Sequence, residues 1–471
     1  CSPEVGCFLY VLKLKKECES MSRSYEIDMC HGPLFGKIIR FSIPLMLSGI
    51  LQLLFNAADI IVVGRFVGPT ALAAVGSTSS LINLLINLFI GFSVGANVLV
   101  ARFHGAGRDD EVNETVHTAI TLSMVSGIFL LILGVTVTRT LLIWMGSPDD
   151  VLDQSSLYLK IYFLAMPATL LYNFGSSILR AVGDTKRPLF YLVTAGVINV
   201  CFNLFFVIVC HLGVAGVGLA TVIAEYISAA LIIRCLMRSQ GCCHLDLHQL
   251  GIVKGKLRQI MQIGLPAGMQ GVVFSLSNVL IQSSINSFGS TAMAGNTASM
   301  NIENFIYISM NTFQQTAMSF TSQNYGAGEE KRIHKVLFIC QGLVISVGLI
   351  FGVGAWLAGD KLLSIYSSDL NVIQFGKNRM AVICTTYFLC GIMDTMVGAL
   401  RGVGYSLLPM IVSLIGACGL RIVWIFTAFQ IHRSLWMLYI SYPITWIITG
   451  GVHILCYVLV RRKQLQAEKN R

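Results

Sequence analysis

The pentapeptide Leu179-Arg-Ala-Val-Gly183 recurs as Leu400-Arg-Gly-Val-Gly404, a spacing of 221 residues (400 − 179 = 221), and a proline follows each copy. Two further motifs recur at the same spacing, Gly105-Ala-Gly107 as Gly326-Ala-Gly328 and Gly68-Pro-Thr-Ala-Leu-Ala73 as Gly289-Ser-Thr-Ala-Met-Ala294. Chance could supply one such match, but three matches at one spacing indicate a duplicated unit.

The composition places this duplicated chain in a membrane. Of the 471 residues, 55% are hydrophobic and only 12% are charged, whereas soluble domains carry about 25% charged residues. The mean hydropathy of +0.73 agrees. A net charge of +10 is expected when Lys and Arg lie at the cytoplasmic ends of spanning helices. No soluble stretch interleaves basic and aromatic residues, which argues against nucleic-acid binding.

Apolar stretches of about 20 residues or more predict spanning helices. We predict an all-α polytopic membrane protein with twelve such helices in two homologous six-helix lobes. Because six is an even number, both lobes enter the membrane in the same orientation, and an axis along the membrane normal relates them. The predicted spans are residues 38–63, 71–100, 116–138, 156–179, 188–210, 213–236, 258–287, 291–321, 334–358, 373–399, 408–430 and 435–460.

The distribution of basic residues predicts that both termini are cytoplasmic. Most of the 33 Lys and Arg residues then fall in inside segments, and the outside segments hold only Arg65, Arg139, Lys160, Lys361, Lys377, Arg379 and Arg433. The predicted organisation is an N-terminal cytoplasmic segment (1–36), an N-lobe (37–237), a cytoplasmic linker (238–254), a C-lobe (255–460) and a basic tail (461–471). The chain begins with Cys, and we expect an over-extended start, with Met21 or Met29 as the natural one.

Ionisable groups inside a membrane are costly and are functional candidates by default. Asp59 is the strongest candidate, because the stretch Phe55–Gly64 surrounds it with apolar side chains. A carboxyl group so placed can take up and release a proton, although a static hydrogen-bonded Asp is the alternative. The other predicted intramembrane charges are Glu225, Glu303, Asp394 and Arg421, and Arg421 could neutralise one of the acids.

Polar uncharged side chains extend the candidate site in each lobe. Asn199 and Asn203 are four residues apart and share a helix face, and with Thr221 and Asp59 they could form an N-lobe pocket. The alternative is that they only hold helices together by hydrogen bonds. In the C-lobe, Glu303 and Asp394 are candidates for ion coordination. The seventh and eighth spans are unusually polar, so we expect one face of them, with Gln270 and Asn278, to line a wet cavity.

Two prolines and the cysteines complete the candidates. Pro44 and Pro266 lie at nearly matching positions of the repeat, and paired bends there would suit a hinge between lobes. The 14 cysteines are scattered, without a Cys-x-x-Cys pair or zinc-ligand spacing. We therefore expect no metal site in the cysteine pattern, and no cofactor.

These features together resemble the multidrug and toxic compound extrusion (MATE) family, over residues 33–460. Leu265-Pro-Ala-Gly-Met-Gln270 and Phe274-Ser-Leu-Ser-Asn278 look family-specific. The resemblance implies no enzyme activity but cation-coupled efflux of small cationic or amphipathic compounds by alternating access. It also implies a location in the cell membrane, and we expect a monomer.

The resemblance also assigns roles to residues. Asp59 matches the family's coupling acid, Asn199 and Asn203 match a pair on the fifth helix, and Thr221 matches a threonine on the sixth. The family's acidic branches have an acid where this chain has Asn203. Some members use a Glu on the seventh helix and an Asp on the tenth helix for Na⁺. The seventh helix of this chain has no acid, and Asp394 lies about one turn from the expected position of that Asp. The coupling ion is therefore left open between H⁺ and Na⁺, and Na⁺ at these sites is the one metal ion considered.

A flippase for lipid-linked oligosaccharides or lipids is the alternative. Such a protein needs a cationic cavity, and Arg421 is the clear intramembrane cation of the sequence. A primary ATP-driven pump within this chain is excluded, because no Gly-x4-Gly-Lys-Ser/Thr loop occurs.

Overall fold

Twelve long helical segments follow one another along residues 25–144 and 149–469, the part of the chain that this computed structural model describes. They are α1 (Leu34–Val67), α2 (Pro69–Gly105), α3 (Asp109–Trp144), α4 (Asp149–Leu164 and Met166–Ala181), α5 (Lys186–Val209), α6 (Gly213–Arg238), α7 (Lys254–Asn286), α8 (Ser290–Gly326), α9 (Glu330–Leu357), α10 (Leu370–Gly402), α11 (Leu407–Ile431) and α12 (Leu435–Lys469).

Ten of these segments are long and apolar enough to cross a membrane. The other two are α4, which is divided at Ala165 just before Pro167 into pieces of 16 residues, and α8, which is 37 residues long but rich in polar side chains. The predicted all-helical arrangement of twelve spans is confirmed. The helices extend several residues beyond the predicted bounds, since polar turns at the membrane faces continue the backbone hydrogen bonding.

The repeated motifs form the same turns in both halves of the chain. Gly107, after α2, has a φ of 67°, and Gly328, after α8, has a φ of 71°. Gly183 and Gly404, which follow α4 and α10, both have a φ of 97°. Glycine is favoured where a helix ends in this left-handed conformation. The chain therefore consists of two homologous lobes, the N-lobe (α1–α6) and the C-lobe (α7–α12).

Two helices, α2 and α7, meet backbone to backbone and join the lobes. A Cβ atom on Gly91 would lie 2.3 Å from the backbone nitrogen of Gly268, and one on Gly95 would lie 2.3 Å from the carbonyl oxygen of Ile260. Glycine allows such close approach, which is how helices pack tightly in lipid. We call this contact the seam.

The seam lies towards the face where α1 begins and α12 ends, which we call the terminal face. Near this face, Ser319 donates a hydrogen bond of 3.1 Å to Asn97, and Gln323 donates one of 2.6 Å to the carbonyl of Ala181. Each bond joins α8 of the C-lobe to the N-lobe. The lobes are thus closed against each other at the terminal face.

The segment that precedes α1 lies across this closed face. The carbonyl of Met29 accepts a hydrogen bond of 3.1 Å from Asn324 of the C-lobe. Arg332 donates to the carbonyls of His31 and Gly32. On the other side, a Cβ atom on Gly183 of the N-lobe would collide with Ile27. The segment therefore contacts both lobes, and its docking was not predicted.

Towards the opposite face the lobes separate. Among the described residues, one buried cluster there includes Val63, Val75 and Leu142 and belongs to the N-lobe alone. Another includes Ile285 and Phe429 and belongs to the C-lobe alone. By contrast, the clusters that contain residues of both lobes lie near the terminal face. Among the described side chains, the buried clusters near the opposite face thus belong to one lobe each, and we call the region between them the cleft.

Two segments and one residue differ from the predicted organisation. The linker spans residues 239–253, between α6 and α7. Residues 461–469, predicted as a separate tail, continue α12, and the buried Arg461 forms an ion pair with Glu330. Arg379, which was counted with an outside segment although the predicted span 373–399 contains it, is buried in α10. Met21 lies outside the described residues, whereas Met29 is buried.

Substituting Gly91 with Ala should destabilise the protein, because the added methyl group would force α2 away from α7. Overpacking of this kind costs about 1–3 kcal/mol, which thermal unfolding of the detergent-solubilised protein would show as a lower midpoint. Gly255→Ala is the matched control, since a Cβ there meets nothing within 4 Å. Equal unfolding midpoints for Gly91→Ala and the wild type would contradict the close backbone contact of α2 with α7 at the seam.

Candidate functional site

The N-lobe site forms where α1 and α5 change their winding. The last turn of α1, Val63–Val67, and the last turn of α5, Phe205–Val209, are both π-helical and contact each other. Asp59 lies one turn before the first, and Asn203 lies two residues before the second. Such wide turns are frequent at functional sites. They place Asp59 and Asn203 side by side.

A chain of hydrogen bonds joins the four residues predicted for this site. The amide nitrogen of Asn203 donates to a carboxylate oxygen of Asp59 and, at 3.4 Å, to the side-chain oxygen of Asn199. Asn199 in turn donates to the Thr221 hydroxyl at 3.4 Å. The hydroxyl itself donates to the carbonyl of Val217 at 3.1 Å. The structure therefore brings Asp59, Asn199, Asn203 and Thr221 together, across α1, α5 and α6.

In the part of the chain that the structure describes, Asp59 has no basic side chain beside it. Within the described residues, no Lys, Arg or His nitrogen lies within 4.0 Å of its carboxylate. The side-chain oxygen of Asn203 is buried next to it without a hydrogen-bond partner among these residues. The site therefore presents oxygen acceptors to a proton or a small cation.

Glu225 lies one turn beyond Thr221 on α6, and both residues share a face of that helix. Its side chain is hydrogen-bonded to Thr169 in the second piece of α4. The N-lobe thus contains a second intramembrane carboxyl group, next to the predicted site but outside its hydrogen-bond chain.

A cavity of about 410 Å³ lies mainly in the C-lobe, among α7, α8, α10, α11 and α12, and Asn87 of α2 in the N-lobe also lines it. Polar side chains of α7 and α8 line one part of it and aromatic side chains line another. The lining includes Asn278, Glu303, Asn304, Tyr307, Tyr387, Asp394, Arg421, Tyr442 and Trp446.

Glu303 is engaged in a buried ion pair with Arg379. Both carboxylate oxygens accept hydrogen bonds of 2.8 Å from the guanidinium group, and Ser299 donates a further bond of 2.8 Å. The guanidinium also donates to Asn296 at 2.8 Å. Because these bonds already satisfy the carboxylate, the geometry favours a structural role for Glu303 over the predicted ion coordination.

Asp394 is buried in the same lobe, with the thiol of Cys390 as its hydrogen-bond partner at 3.9 Å. The guanidinium of Arg401 donates instead to Gln270, at 2.8 Å. Gln270 donates to Ser413 at 3.1 Å, so it belongs to a buried polar chain and does not line the cavity. Of the four predicted C-lobe residues, Asn278, Glu303 and Asp394 line the cavity.

Arg421 is not paired with an acid in the described part of the chain, whereas the sequence allowed for such a pair. Its Nε donates to the Thr445 hydroxyl at 3.0 Å, and its guanidinium lies 4.2 Å from the ring centre of Tyr442. Within the described residues no carboxylate lies within 4.0 Å of it. The aromatic face and the hydroxyl hold the cation in place, and the guanidinium borders the cavity.

The predicted hinge residues lie inside helices in the half near the terminal face. Pro44 is buried in α1, and Pro266 is buried in α7 between Gly264 and Gly268 of the seam. A proline frees a carbonyl of the preceding turn and weakens the helix there. A hinge at these residues remains a prediction.

Sequence reasoning missed Arg379 and Asn296 as parts of the C-lobe site. The sequence does contain a signal for the burial of Arg379, because this residue directly precedes the apolar run Met380–Cys384. A lone Arg and a lone Glu in neighbouring spans suggest a pair, since an unpaired charge in a membrane is costly.

Glu303→Gln should destabilise the protein strongly, because it leaves the buried Arg379 guanidinium uncompensated. Breaking a buried pair typically costs about 3–5 kcal/mol, and replacing both partners, in Glu303→Leu/Arg379→Met, should recover most of that loss. Thermal unfolding in detergent measures both effects. Asp153→Asn, in an exposed pair with Arg139, is the control that should change little. Wild-type stability of Glu303→Gln would refute the structural role.

The MatE family model matches the chain twice, over residues 44–205 and again over residues 266–427. The two matches correspond to the two lobes and together cover more than half of the chain. The duplication deduced from the repeated motifs is therefore a duplication of the MatE unit.

Known proteins are similar over nearly the whole chain. The probable multidrug resistance protein YoeA of Bacillus subtilis is 26% identical over 389 residues, which is 81% of this chain and 84% of YoeA. A MOP superfamily transporter from Pyrococcus furiosus has the same fold, with a TM-score of 0.86, 19% identity and coverage of 95% of this chain and 98% of its own.

A third match concerns the arrangement of the lobes. A structure described as an outward-facing conformation of a multidrug resistance MATE family transporter superposes with a TM-score of 0.85 at 20% identity. The superposition covers 93% of this chain and 97% of that transporter. The twofold match to the family model and the shared two-lobe fold establish that this multi-pass membrane protein belongs to the MatE (MATE) family of transporters.

Proposed function

We propose that the chain exports small cationic or amphipathic organic compounds across the cell membrane in exchange for H⁺ or Na⁺. The observation that carries this proposal is the uncompensated carboxyl group of Asp59 within a hydrogen-bond chain that crosses three helices of one lobe. The similarity to YoeA, a probable multidrug resistance protein of Bacillus subtilis, supports export as the direction of transport.

Alternating access follows from the seam and the cleft. The lobes touch at the terminal face and separate at the opposite face, so a substrate between them can exchange with one side of the membrane only. The excess of basic residues supports a cytoplasmic location for the terminal face. With the terminal face so placed, the structure would represent an outward-facing state, and the inward-facing state would require the seam to open.

Asn203 can link ion binding at Asp59 to the position of α1. Its amide nitrogen donates to the ionised carboxylate, but a protonated carboxyl group must itself donate and needs an acceptor. Rotation of the Asn203 amide group would turn its oxygen towards the protonated carboxyl group of Asp59. The same rotation would move the amide nitrogen of Asn203 away from the side-chain oxygen of Asn199. Proton loading would therefore rearrange the contacts of α1 with α5. Na⁺ would use the same oxygen atoms as ligands.

The C-lobe cavity has the chemistry for organic cations. Asp394 supplies a carboxyl group that has no basic partner within 4.0 Å among the described residues. The rings of Tyr387 and Trp446, stacked with centroids 5.4 Å apart, supply aromatic faces. Cations bind to such faces, most strongly where water is excluded. An amphipathic cation therefore fits this cavity.

A lipid or lipid-linked oligosaccharide flippase is the second candidate. One observation favours it: the guanidinium of Arg421 borders the cavity without a carboxylate partner within 4.0 Å among the described residues. An arginine so placed could bind a phosphate group. The acid Asp394 in the same cavity favours the exporter instead.

Asp59→Asn should abolish gradient-driven efflux, because the amide cannot take up a proton or supply a carboxylate to Na⁺. Purified protein in proteoliposomes, loaded with a cationic dye and given an imposed H⁺ or Na⁺ gradient, measures efflux. We expect the wild type to respond to one of the two gradients, and the variant to fall at least about tenfold, an energy of about 1.4 kcal/mol.

Asp153→Asn is the matched control, since Asp153 is an exposed N-lobe acid outside the site, and its efflux should equal that of the wild type. Normal efflux by Asp59→Asn would refute the proposed coupling. Efflux of the dye without a response to either gradient would refute antiport itself.

A further inference from the structure

A second cluster of reactive side chains lies at the terminal face, far from Asp59. His104 is in the last turn of α2, Asp109 is the first residue of α3, and Cys242 is in the linker. Their possible ligand atoms all lie within 4.8 Å of one another, and Nδ1 of His104 is 3.4 Å from Sγ of Cys242. We propose that these three residues bind a divalent transition metal ion, of which Zn²⁺ fits best.

The donor set matches that ion. Zn²⁺ takes thiolate, imidazole and carboxylate ligands, usually in tetrahedral geometry, and three protein ligands leave a fourth position for water. With ordinary Zn–S and Zn–N bond lengths, the sulfur and nitrogen of such a tetrahedron are about 3.6 Å apart. The observed 3.4 Å between Cys242 and His104 is close to that edge. Only the carboxylate of Asp109, which is exposed, has to move inwards.

The ligands also suit the charge of the ion. With Cys242 as a thiolate and Asp109 as a carboxylate, the three ligands would carry two negative charges, which match a divalent cation. Glu26, in the segment before α1, lies near His104 and belongs to the same acidic surroundings.

The metal would fasten the linker to the N-lobe. The linker already lies along the start of α3: Asn113 donates to the carbonyl of His244 at 2.9 Å, and Thr118 accepts from the backbone of Val253 at 3.2 Å. His104 also lines a groove shared with Gln323 of the C-lobe. A bound metal would connect Cys242 of the linker to His104 of α2 and Asp109 of α3, beside the closed terminal face.

Co²⁺ is a spectroscopic probe for this site, because thiolate ligation to it gives a charge-transfer absorption. Titrating Co²⁺ into the full-length, detergent-solubilised and reduced protein should produce that absorption with one equivalent, and Zn²⁺ should displace it. Cys242→Ser should abolish the band. Asp109→Asn, at an exposed residue whose loss should not disturb folding, should weaken Co²⁺ binding at least about tenfold.

Cys201→Ser is the matched control, since Cys201 is an exposed cysteine on α5, and it should titrate like the wild type. Zn²⁺ should also raise the unfolding midpoint of the wild type but not of Cys242→Ser. Absence of the band in the wild type, or its persistence in Cys242→Ser, would overturn the proposal. Neither result bears on transport, so the site and the proposed function are tested separately.

Discussion

The close approach of α2 to α7 is the contact on which the arrangement of this protein depends. Helices in lipid gain no hydrophobic driving force from association, so small residues and direct backbone contact have to hold them together. Gly91 lies against the backbone of Gly264 and Gly268, where any Cβ would collide. This contact joins the lobes at the terminal face. The opposite ends of the lobes lack such a contact among the described residues, and the cleft follows from that difference.

The two lobes share a scaffold but not their chemistry. At the repeat spacing of 221 or 222 residues, the C-lobe positions that correspond to Asp59 are Leu280 and Ile281. The turns after α4 and α10 remain nearly identical in backbone conformation. The duplication therefore preserved the elements that fix helix ends, while the carboxyl group proposed for coupling lies in one lobe alone.

Much of the fold follows from local sequence features. Hydropathy predicts the twelve spans, and motifs repeated at one spacing predict the two lobes. Both signals can be found from the sequence because neither depends on contacts between distant residues. The N-lobe site was also predictable: Asn199 and Asn203 share a face by helical spacing, and the family resemblance adds Asp59 and Thr221. The structure joins these four residues by hydrogen bonds.

The partners of the C-lobe charges were not predictable in the same way. Arg379 was counted with the outside segments because such a count treats each basic residue as if it faced water. Its burial depends on Glu303, on a helix that is distant in sequence. Likewise, His104 and Cys242 have no ligand spacing in the sequence, and only the docking of the linker brings them together.

Paired distances across the two faces test the central claim, that opening of the seam and closure of the cleft are one motion controlled at Asp59. Spin labels at exposed residues would report the terminal face (Asp110 and Lys331) and the opposite face (Thr140 and Ser287). Attachment should avoid thiol chemistry, since the chain has 14 cysteines. Adding the coupling ion and substrate in lipid nanodiscs should lengthen the first distance while shortening the second, and Asp59→Asn should remove this response. Distances that change independently, or that respond equally in Asp59→Asn, would contradict the account.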